Sequence, residues 1–515
     1  MKKLKGLFRI IFGRTTFVVL FMLIQLGFLL SCFIWLNEYM VYIFGGMTVL
    51  TALVVIYILN EHANPSFKLA WMIPVLVIPV FGTLFYLFVQ LQLGTKIINS
   101  RLKTTKKETE PYLEQEEGTA LRLEKADEQV RNLARYVKEY GGYPVYENTD
   151  VQYFPLGDDM FPELKRQLLS AERFIFMEYF IVDHGVMWGE ILEILEKKAA
   201  EGVEVRMMYD GMCCMVLLPY RYPAELEKKG IRCKMFAPIK PTLSTHQNNR
   251  DHRKICVIDG HTAFTGGVNL ADEYINRKVR FGHWKDTAVM LKGDGVQSFT
   301  MMFLQMWNIT EKQEDYGRYL RNPDYRYPAE LRMDGFVMPY GDSPLDGENV
   351  GEQVYLDILN QARHYVHIMT PYLILDHEMV TALTFAAKRG VDTVIIMPHI
   401  PDKKYAYLLA RSYYLELIQA GVKIYEYTPG FVHAKSFVSD DEKAVVGTIN
   451  LDFRSLYLHF ECGVFLYRNP AVLDVERDFE KTLAVCSPVT LEDCRRYPFL
   501  PSFAGRMMRI IAPLM

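Results

Sequence analysis

The chain has 515 residues, a formal net charge of −3, 50% hydrophobic residues and 23% charged residues. That length is too great for one ordinary core, and the composition is globular rather than disordered. A slightly acidic chain also lacks the overall basic field that gathers nucleic acid.

Nearly all the long apolar runs lie before residue 94. Phe17 to Leu36 is the first, with Gln25 and Ser31 as its polar members. Residues 39–59 form the second, and residues 69–91, carrying Pro74 and Pro79, form the third. Each is long enough to cross a hydrocarbon core of about 30 Å. The first is longer than the apolar part of a signal peptide and has no small-residue cleavage site. Three transmembrane helices are expected, making residues 1–94 a multi-pass anchor in the cell membrane, with a re-entrant or interfacial segment as the alternative for one of them. Lys2, Lys3, Lys5, Arg9 and Arg14 precede the first run, and Lys96, Arg101, Lys103, Lys106 and Lys107 follow the third, so the positive-inside bias cancels. Seven of the eight cysteines follow residue 94 without regular spacing. This suits a reduced domain on the cytoplasmic face better than a disulfide framework.

Residues 95–144, rich in Lys, Glu and Gln, read as a linker or connecting helix. After them the chain repeats itself. "AERFIFMEYFIVDH" at 171–184 echoes "ARHYVHIMTPYLILDH" at 362–377, and "AAEGVEVRMMYDG" at 199–211 echoes "AAKRGVDTVIIMP" at 386–398. Each pair gives an apolar strand, a helical segment, a Gly-Val turn and another apolar strand, which is a β-α-β unit met twice.

Each unit leads to the same constellation. "HRKICVID", 252–259, carries His252, Lys254 and Asp259 and is followed, after a six-residue gap, by Gly266, Gly267 and Asn269. "HAKSFVSD", 433–440, carries His433, Lys435 and Asp440 and is followed after an equal gap by Gly447, Thr448 and Asn450. A single H-x-K is an ordinary solvated strand face. Two copies of H-x-K-x4-D-x6-G-[GT]-x-N at matching places in a repeat are a specific signal.

This pattern resembles the phospholipase D superfamily, whose members carry the motif twice, and the resemblance covers about residues 145–495. The apolar stretch "NPSFKLAWMIPVLVIPVFGTLFYL", with "HWKDT" at 283–287 and "NLDFRSLYLHFE" at 450–461, further resembles the bacterial cardiolipin synthase family. His459 departs from the asparagine expected in the last motif. The resemblance implies an α/β fold in which N-terminal transmembrane helices precede two pseudo-symmetric domains, 145–335 and 336–515, sharing one active site. It implies transfer of a phosphatidyl group from one phosphatidylglycerol to another with release of glycerol. It also implies that His252, in the N-terminal motif, is the nucleophile, and it counts Asp259 and Asp440 within the catalytic motif. The residues alone reach a membrane-bound phosphodiester transferase or hydrolase. A phospholipase D, with water as acceptor, is the alternative.

Two histidines and two lysines suit phosphodiester chemistry. One neutral imidazole attacks phosphorus while the other, protonated, serves the leaving alkoxide. Lys254 and Lys435 meet the non-bridging oxygens, and Asn269 and Asn450 add hydrogen bonds. Asp259 and Asp440 sit at turn signals and read as structural. Each histidine also needs an acceptor for its second nitrogen; Asp286 and Glu461, at matching places before apolar strands, are the candidates. Glu178 either lines the site or pairs with a buried arginine. No Cys or His spacing matches a metal site, so neither metal nor cofactor is expected. The expected partners are anionic phospholipids and the bilayer, not nucleic acid. "GMCCMVLLPY", 211–220, reads as an acyl-chain wall or as core, and "RMMRIIAPLM", 506–515, as a membrane-surface or packing segment.

Overall fold

The computed structural model describes residues 40–90, 93–237, 249–311 and 314–514, with scattered residues between 23 and 31. The expected span over 17–36 falls almost wholly outside the described residues.

Helix α1 (Met40–Asn60) occupies the second apolar run and is described in full from Gly45 on. The third run, expected as one span, is instead two short helices, α2 (Pro65–Val77) and α3 (Pro79–Gln90). Ile78 leaves the helical region with φ −128° and ψ 71°, and Pro79 has no N–H with which to continue the ladder. The chain folds back there. Trp71 packs on Phe85 and Tyr86, with ring centroids 5.8 and 5.4 Å apart. Gly82 makes the hairpin close, because a Cβ there would lie 2.2 Å from the Pro74 carbonyl oxygen. At 1.5 Å per residue the two arms measure about 20 and 18 Å, well short of a hydrocarbon core. Among the described residues no helix is long and apolar enough to cross a membrane.

Residues 95–144, expected as a linker or connecting helix, are largely helical. They form α4 (Leu93–Thr109), α5 (Glu117–Ala126) and α6 (Glu128–Tyr136). Leu102, Leu123, Val130 and Leu133 are buried in the largest apolar cluster of the protein. In α6 the buried Val130, Leu133 and Ala134 recur at helical spacing, so a segment that reads as polar on average still carries a buried stripe.

The two repeats give two sheets of matching order. The first contains β1 (Thr149–Phe154), β2 (Phe174–Tyr179), β3 (Glu204–Asp210), β4 (Arg232–Phe236), β5 (Lys254–Ile258), β6 (Thr262–Gly266) and β7 (Ala288–Gly293), in the order β1-β7-β6-β5-β2-β3-β4. The second contains β8 (Phe336–Asp342), β9 (Tyr365–Met369), β10 (Asp392–Pro398), β11 (Lys423–Tyr427), β12 (Ser436–Ser439), β13 (Lys443–Gly447), β14 (His459–Tyr467) and β15 (Cys486–Pro488), in the order β8-β14-β13-β12-β9-β10-β11-β15. Element for element the first seven strands agree. In each sheet the second, third and fourth strands run parallel and the rest antiparallel.

The halves share a core. Phe176, Ile255 and Val257 of the first sheet join Ile368, Phe437 and Val445 of the second in one buried cluster with α7 (Val296–Trp307), which is buried at every residue but Gln297. They also exchange strands. Arg250–Asp251, just before the first H-x-K, pairs with His459 and Phe460 at the start of β14. Gly430–Val432, just before the second, pairs with His283–Lys285 of the first half. These two exchanges set the active-site geometry.

Candidate active site

The exchanged strands carry His252 and His433, the two candidate catalytic histidines, each to the opposite half. The amide of His252 donates to the carbonyl of Phe460 at 2.9 Å, and the amide of His433 donates to that of Lys285 at 2.7 Å. One residue beyond Phe460, or one beyond Lys285, the side chain lies on the other face of its strand. Glu461 and Asp286 therefore point where the histidines are. His252 Nδ1 lies 2.8 and 2.9 Å from the two oxygens of Glu461, and His433 Nδ1 lies 2.6 Å from Asp286 Oδ2. Each carboxylate accepts the Nδ1 proton and leaves Nε2 with its lone pair.

The position that follows the first glycine of each trailing motif supports these acids differently. A Cβ at Gly267 would lie 1.9 Å from Asp286 Oδ1, so glycine makes room for that carboxylate. At the matching position Thr448 donates its hydroxyl to Glu461 Oε2. Farther along, Asn269 donates to the Tyr274 hydroxyl and accepts from the Ile181 amide, and Asn450 donates to Ser455. Both asparagines thus spend their amide N–H groups on neighbouring side chains and brace the loops beside the site.

All of these groups are buried. Lys254 and Lys435 are each 1% exposed, and Lys254 Nζ donates to the His252 carbonyl at 2.6 Å. Burial pulls the Lys254 ammonium down to about 8 and that of Lys435 down to about 7. Burial, then the charge of Lys254, holds His252 well below its ordinary value. Burial, then Lys435, lowers His433 to about 4. Burial raises Glu461 to about 8. A site that so disfavours cationic imidazole, with two lysines inside it, is built to receive an anion. Phe180 meets the His252 ring at 4.5 Å, and Trp284 meets the His433 ring at 5.3 Å, so aromatic walls flank both histidines.

Three expected members stand apart. Asp259 accepts from the amides of Glu172, Arg173 and Phe174, each at 2.8 Å. Asp440 accepts from those of Arg363, His364 and Tyr365 at 2.8, 2.8 and 3.0 Å. Both stand at the far end of their strands from the histidines, in turns with φ of 53° and 55°. They fasten the start of β2 and β9 and do not join the site, because seven residues of extended chain span roughly 20 Å. Glu178 lies on the other face of β2, 3.4 Å from Arg253 Nε, and so belongs to a buried ion pair. In 211–220 Cys214 and Leu218 are buried while Met212, Val216 and Tyr220 are exposed, so the segment is half core and half apolar surface.

The sequence spacing gives no metal site, yet the fold gathers His252, His459 and Glu461 so that one potential ligand atom of each lies within 4.8 Å of the others. Spacing along the chain misses this cluster because β14 and the strand before His252 meet only in three dimensions.

The chain is similar to known proteins along most of its length. Residues 164–307 and 355–483 match the family described as cardiolipin synthase, PLD-like domain, and residues 49–90 match the phospholipase D-nuclease N-terminal family. The cardiolipin synthase of Halalkalibacterium halodurans is 32% identical over 507 residues, covering 97% of this chain and 99% of that protein. The chain belongs to the bacterial cardiolipin synthase family of the phospholipase D superfamily. As a member it is an enzyme of the phospholipase D type that carries out phosphatidyl transfer. The cardiolipin synthase of Geobacillus kaustophilus is 33% identical, covering 88% of this chain and 90% of that protein. An uncharacterized protein of Streptococcus mutans serotype c is 52% identical, covering 90% of this chain and 99% of that protein. Among solved structures, the phosphatidylserine synthase of Haemophilus influenzae Rd KW20 superposes with a TM-score of 0.55 at 13% identity, covering 74% of this chain and all of that one. That likeness shows the shared two-half fold.

Proposed function

We propose that this cardiolipin synthase family member joins two phosphatidylglycerol molecules into cardiolipin and releases glycerol, through a phosphohistidine on His252. The observation that carries the reading is the crossed pairing of each histidine with the acid of the opposite half, beside two buried lysines. With Nδ1–H held by Glu461, His252 Nε2 attacks phosphorus of the first lipid. The bond from phosphorus to the terminal glycerol oxygen breaks, and His433 Nε2–H protonates that oxygen. His433 then takes the proton from a hydroxyl of the second lipid, whose oxygen displaces His252. One phosphodiester replaces another.

The two histidines suit different roles. Burial and the charge of Lys254 disfavour protonation of His252, which fits a nucleophile. At His433 the charge of Asp286 favours the protonated ring against burial and Lys435. The bound phosphate's own negative charge favours the protonated ring further. Lys254 and Lys435 neutralise charge gathering on the non-bridging oxygens.

The lipid side of the reading rests on the N-terminal hairpin. Leu76, Val77 and Ile78 at its tip are 54%, 73% and 54% exposed, an apolar tip suited to half-bilayer depth. Its base is tied to the catalytic part, with Asn64 Nδ2 2.9 Å from the Tyr457 hydroxyl and Phe67 packed on Phe453. Between them lies a cavity of about 400 Å³ lined by Phe67, Trp71, Tyr86, Asn249 and Leu458. Leu458 and Asn249 directly precede the paired residues His459 and Arg250, so lipid in this cavity lies beside the site. Together α1 and the hairpin hold the enzyme on the membrane, with its catalytic part on the cytoplasmic side.

Purified protein with phosphatidylglycerol in bilayers is expected to give cardiolipin and glycerol as main products. Because the exchange is nearly energy-neutral, added glycerol should drive it backwards. Phosphatidic acid as main product, unaffected by glycerol, would make the enzyme a hydrolase instead.

A further inference from the structure

His459 has no part in the two-histidine scheme, yet it is a buried side chain at the wall of the site. It is 8% exposed, and neither ring nitrogen has a hydrogen-bond partner. Its ring lies 5.5 Å from that of His252, and its Nδ1 lies 3.8 Å from Glu461 Oε1. A buried imidazole with two idle nitrogens is costly unless something binds it.

We propose that His252, His459 and Glu461 form a binding site for a divalent transition ion of the zinc type, and that its occupation switches the enzyme off. The donor set, two imidazoles and a carboxylate, is one that zinc takes with a water in the fourth place. The spacing fits. Bonds of about 2.0–2.2 Å in a tetrahedron put ligand atoms about 3.3–3.6 Å apart. The two edges to Glu461 Oε1 measure 2.8 Å from His252 Nδ1 and 3.8 Å from His459 Nδ1, and the set lies within 4.8 Å. Shifts of about half an ångström or less bring these two edges to that spacing. Thr448 already holds Glu461 Oε2, which leaves Oε1 for the ion and supplies the outer hydrogen bond that ligating carboxylates usually have.

Inhibition follows from where the proton goes. In the free enzyme His252 carries its proton on Nδ1, donated to Glu461. An ion on Nδ1 takes that lone pair, so the neutral ring must hold its proton on Nε2. Nε2 then has no lone pair with which to attack phosphorus. No bond in the substrate is made or broken, and a chelator restores the resting tautomer. The inhibitory half of the inference rests on His252 acting in the reaction; the binding half does not.

The test uses the full chain in detergent and in bilayers, with zinc chloride as the probe. Competition against a chromophoric chelator should show one tight zinc per chain that H459N and E461Q both lose. In parallel, zinc should inhibit wild-type turnover reversibly with EDTA, and H459N, compared with its own zinc-free rate, should need roughly 100-fold more zinc. Zinc adhering to anionic lipid is the same for both proteins, so their difference reads the site. Equal stoichiometry and equal inhibition midpoints in wild type and H459N would overturn the inference, and so would a wild-type chain that binds no tight zinc. If H459N is inactive, the chelator competition decides alone. Tight binding that H459N abolishes, without inhibition of the wild type, would refute the switch and count against His252 as the nucleophile.

Discussion

His252 and Glu461 stand 209 residues apart in the chain, yet Nδ1 of one lies 2.8 Å from the carboxylate of the other. The matching pair, His433 and Asp286, spans 147 residues in the opposite sense. Each acid fixes the tautomer of a histidine belonging to the other half. E461Q and D286N should therefore each lower turnover by about 10³-fold or more, with melting temperatures close to wild type. Turnover on bilayers with a thermal melt of the same sample checks both at once. An acid that served only to hold the fold would instead lower stability and leave the rate per folded molecule intact.

The turn aspartates should behave the other way round. Removing Asp259 strands three backbone amides, and D259A should cost about 3 kcal/mol of stability while leaving turnover per folded molecule within a few-fold of wild type. D440A should cost less, because the amides of Arg363 and His364 are exposed and can turn to water. Denaturant titrations paired with rates normalised to folded protein separate these effects.

Gly267 is the sharpest steric test. An added methyl would sit 1.9 Å from Asp286 Oδ1, so G267A should push that carboxylate off His433 and match D286N in its loss of rate. T448V removes only one donor to Glu461 and should cost roughly tenfold or less. The order of the two rates, measured under the same conditions, is the check.

Acid should destabilise the protein through His433. Its folded value is lowered from 6.5 to about 4, first by burial. Between those values the unfolded chain takes up a proton that the folded chain refuses, so the stability involved is whole above pH 6.5 and falls as pH drops through the window. The full loss is about 3 kcal/mol. Glu461, raised to about 8 by burial, acts in the opposite sense, so the comparison must be with H433Q. Unfolding free energies of wild type and H433Q, measured from pH 7 to 4, should diverge, with wild type falling faster.

A charge at the tip of the hairpin should weaken work at a membrane without touching the chemistry. V77D and I78D place a carboxylate where 73% and 54% of the native apolar side chain is exposed. With about 2.5–3.5 kcal/mol for a charge in the hydrocarbon, the rate on dilute phosphatidylglycerol bilayers should drop on the order of 10- to 100-fold. The rate on lipid dispersed in detergent should stay near wild type.

Much of the site was legible because its residues recur. His252, Lys254, His433 and Lys435 stand out as a repeat, and Asp286 and Glu461 stand out by matching position. What the sequence does not contain is the partner of each. Period-two alternation tells which face a residue takes but not which half of the molecule lies opposite, so the exchange of acids is visible only in the fold. The third apolar run misleads for a related reason. Hydropathy averages over Pro79, whereas the helix ends at Ile78 and the chain turns back, with Gly82 packed against Pro74. Glu178 among apolar neighbours signals a buried charge, and Arg253, next to His252, turns out to be its partner. His459 reads from sequence as a deviation from pattern; its idle nitrogens and its closeness to His252 come from strand pairing alone.

The two short exchanged strands, Arg250–Asp251 on β14 and Gly430–Val432 on His283–Lys285, bear on descent. Half of this molecule could not complete a site alone and would need a second copy, related by a two-fold axis, to supply the missing acid. Joining two copies in one chain makes that assembly independent of concentration. It also frees the copies from having to stay identical. Gly267 opposite Thr448, Asp286 opposite Glu461 and a lone His459 are differences that a symmetric pair of identical subunits could not hold.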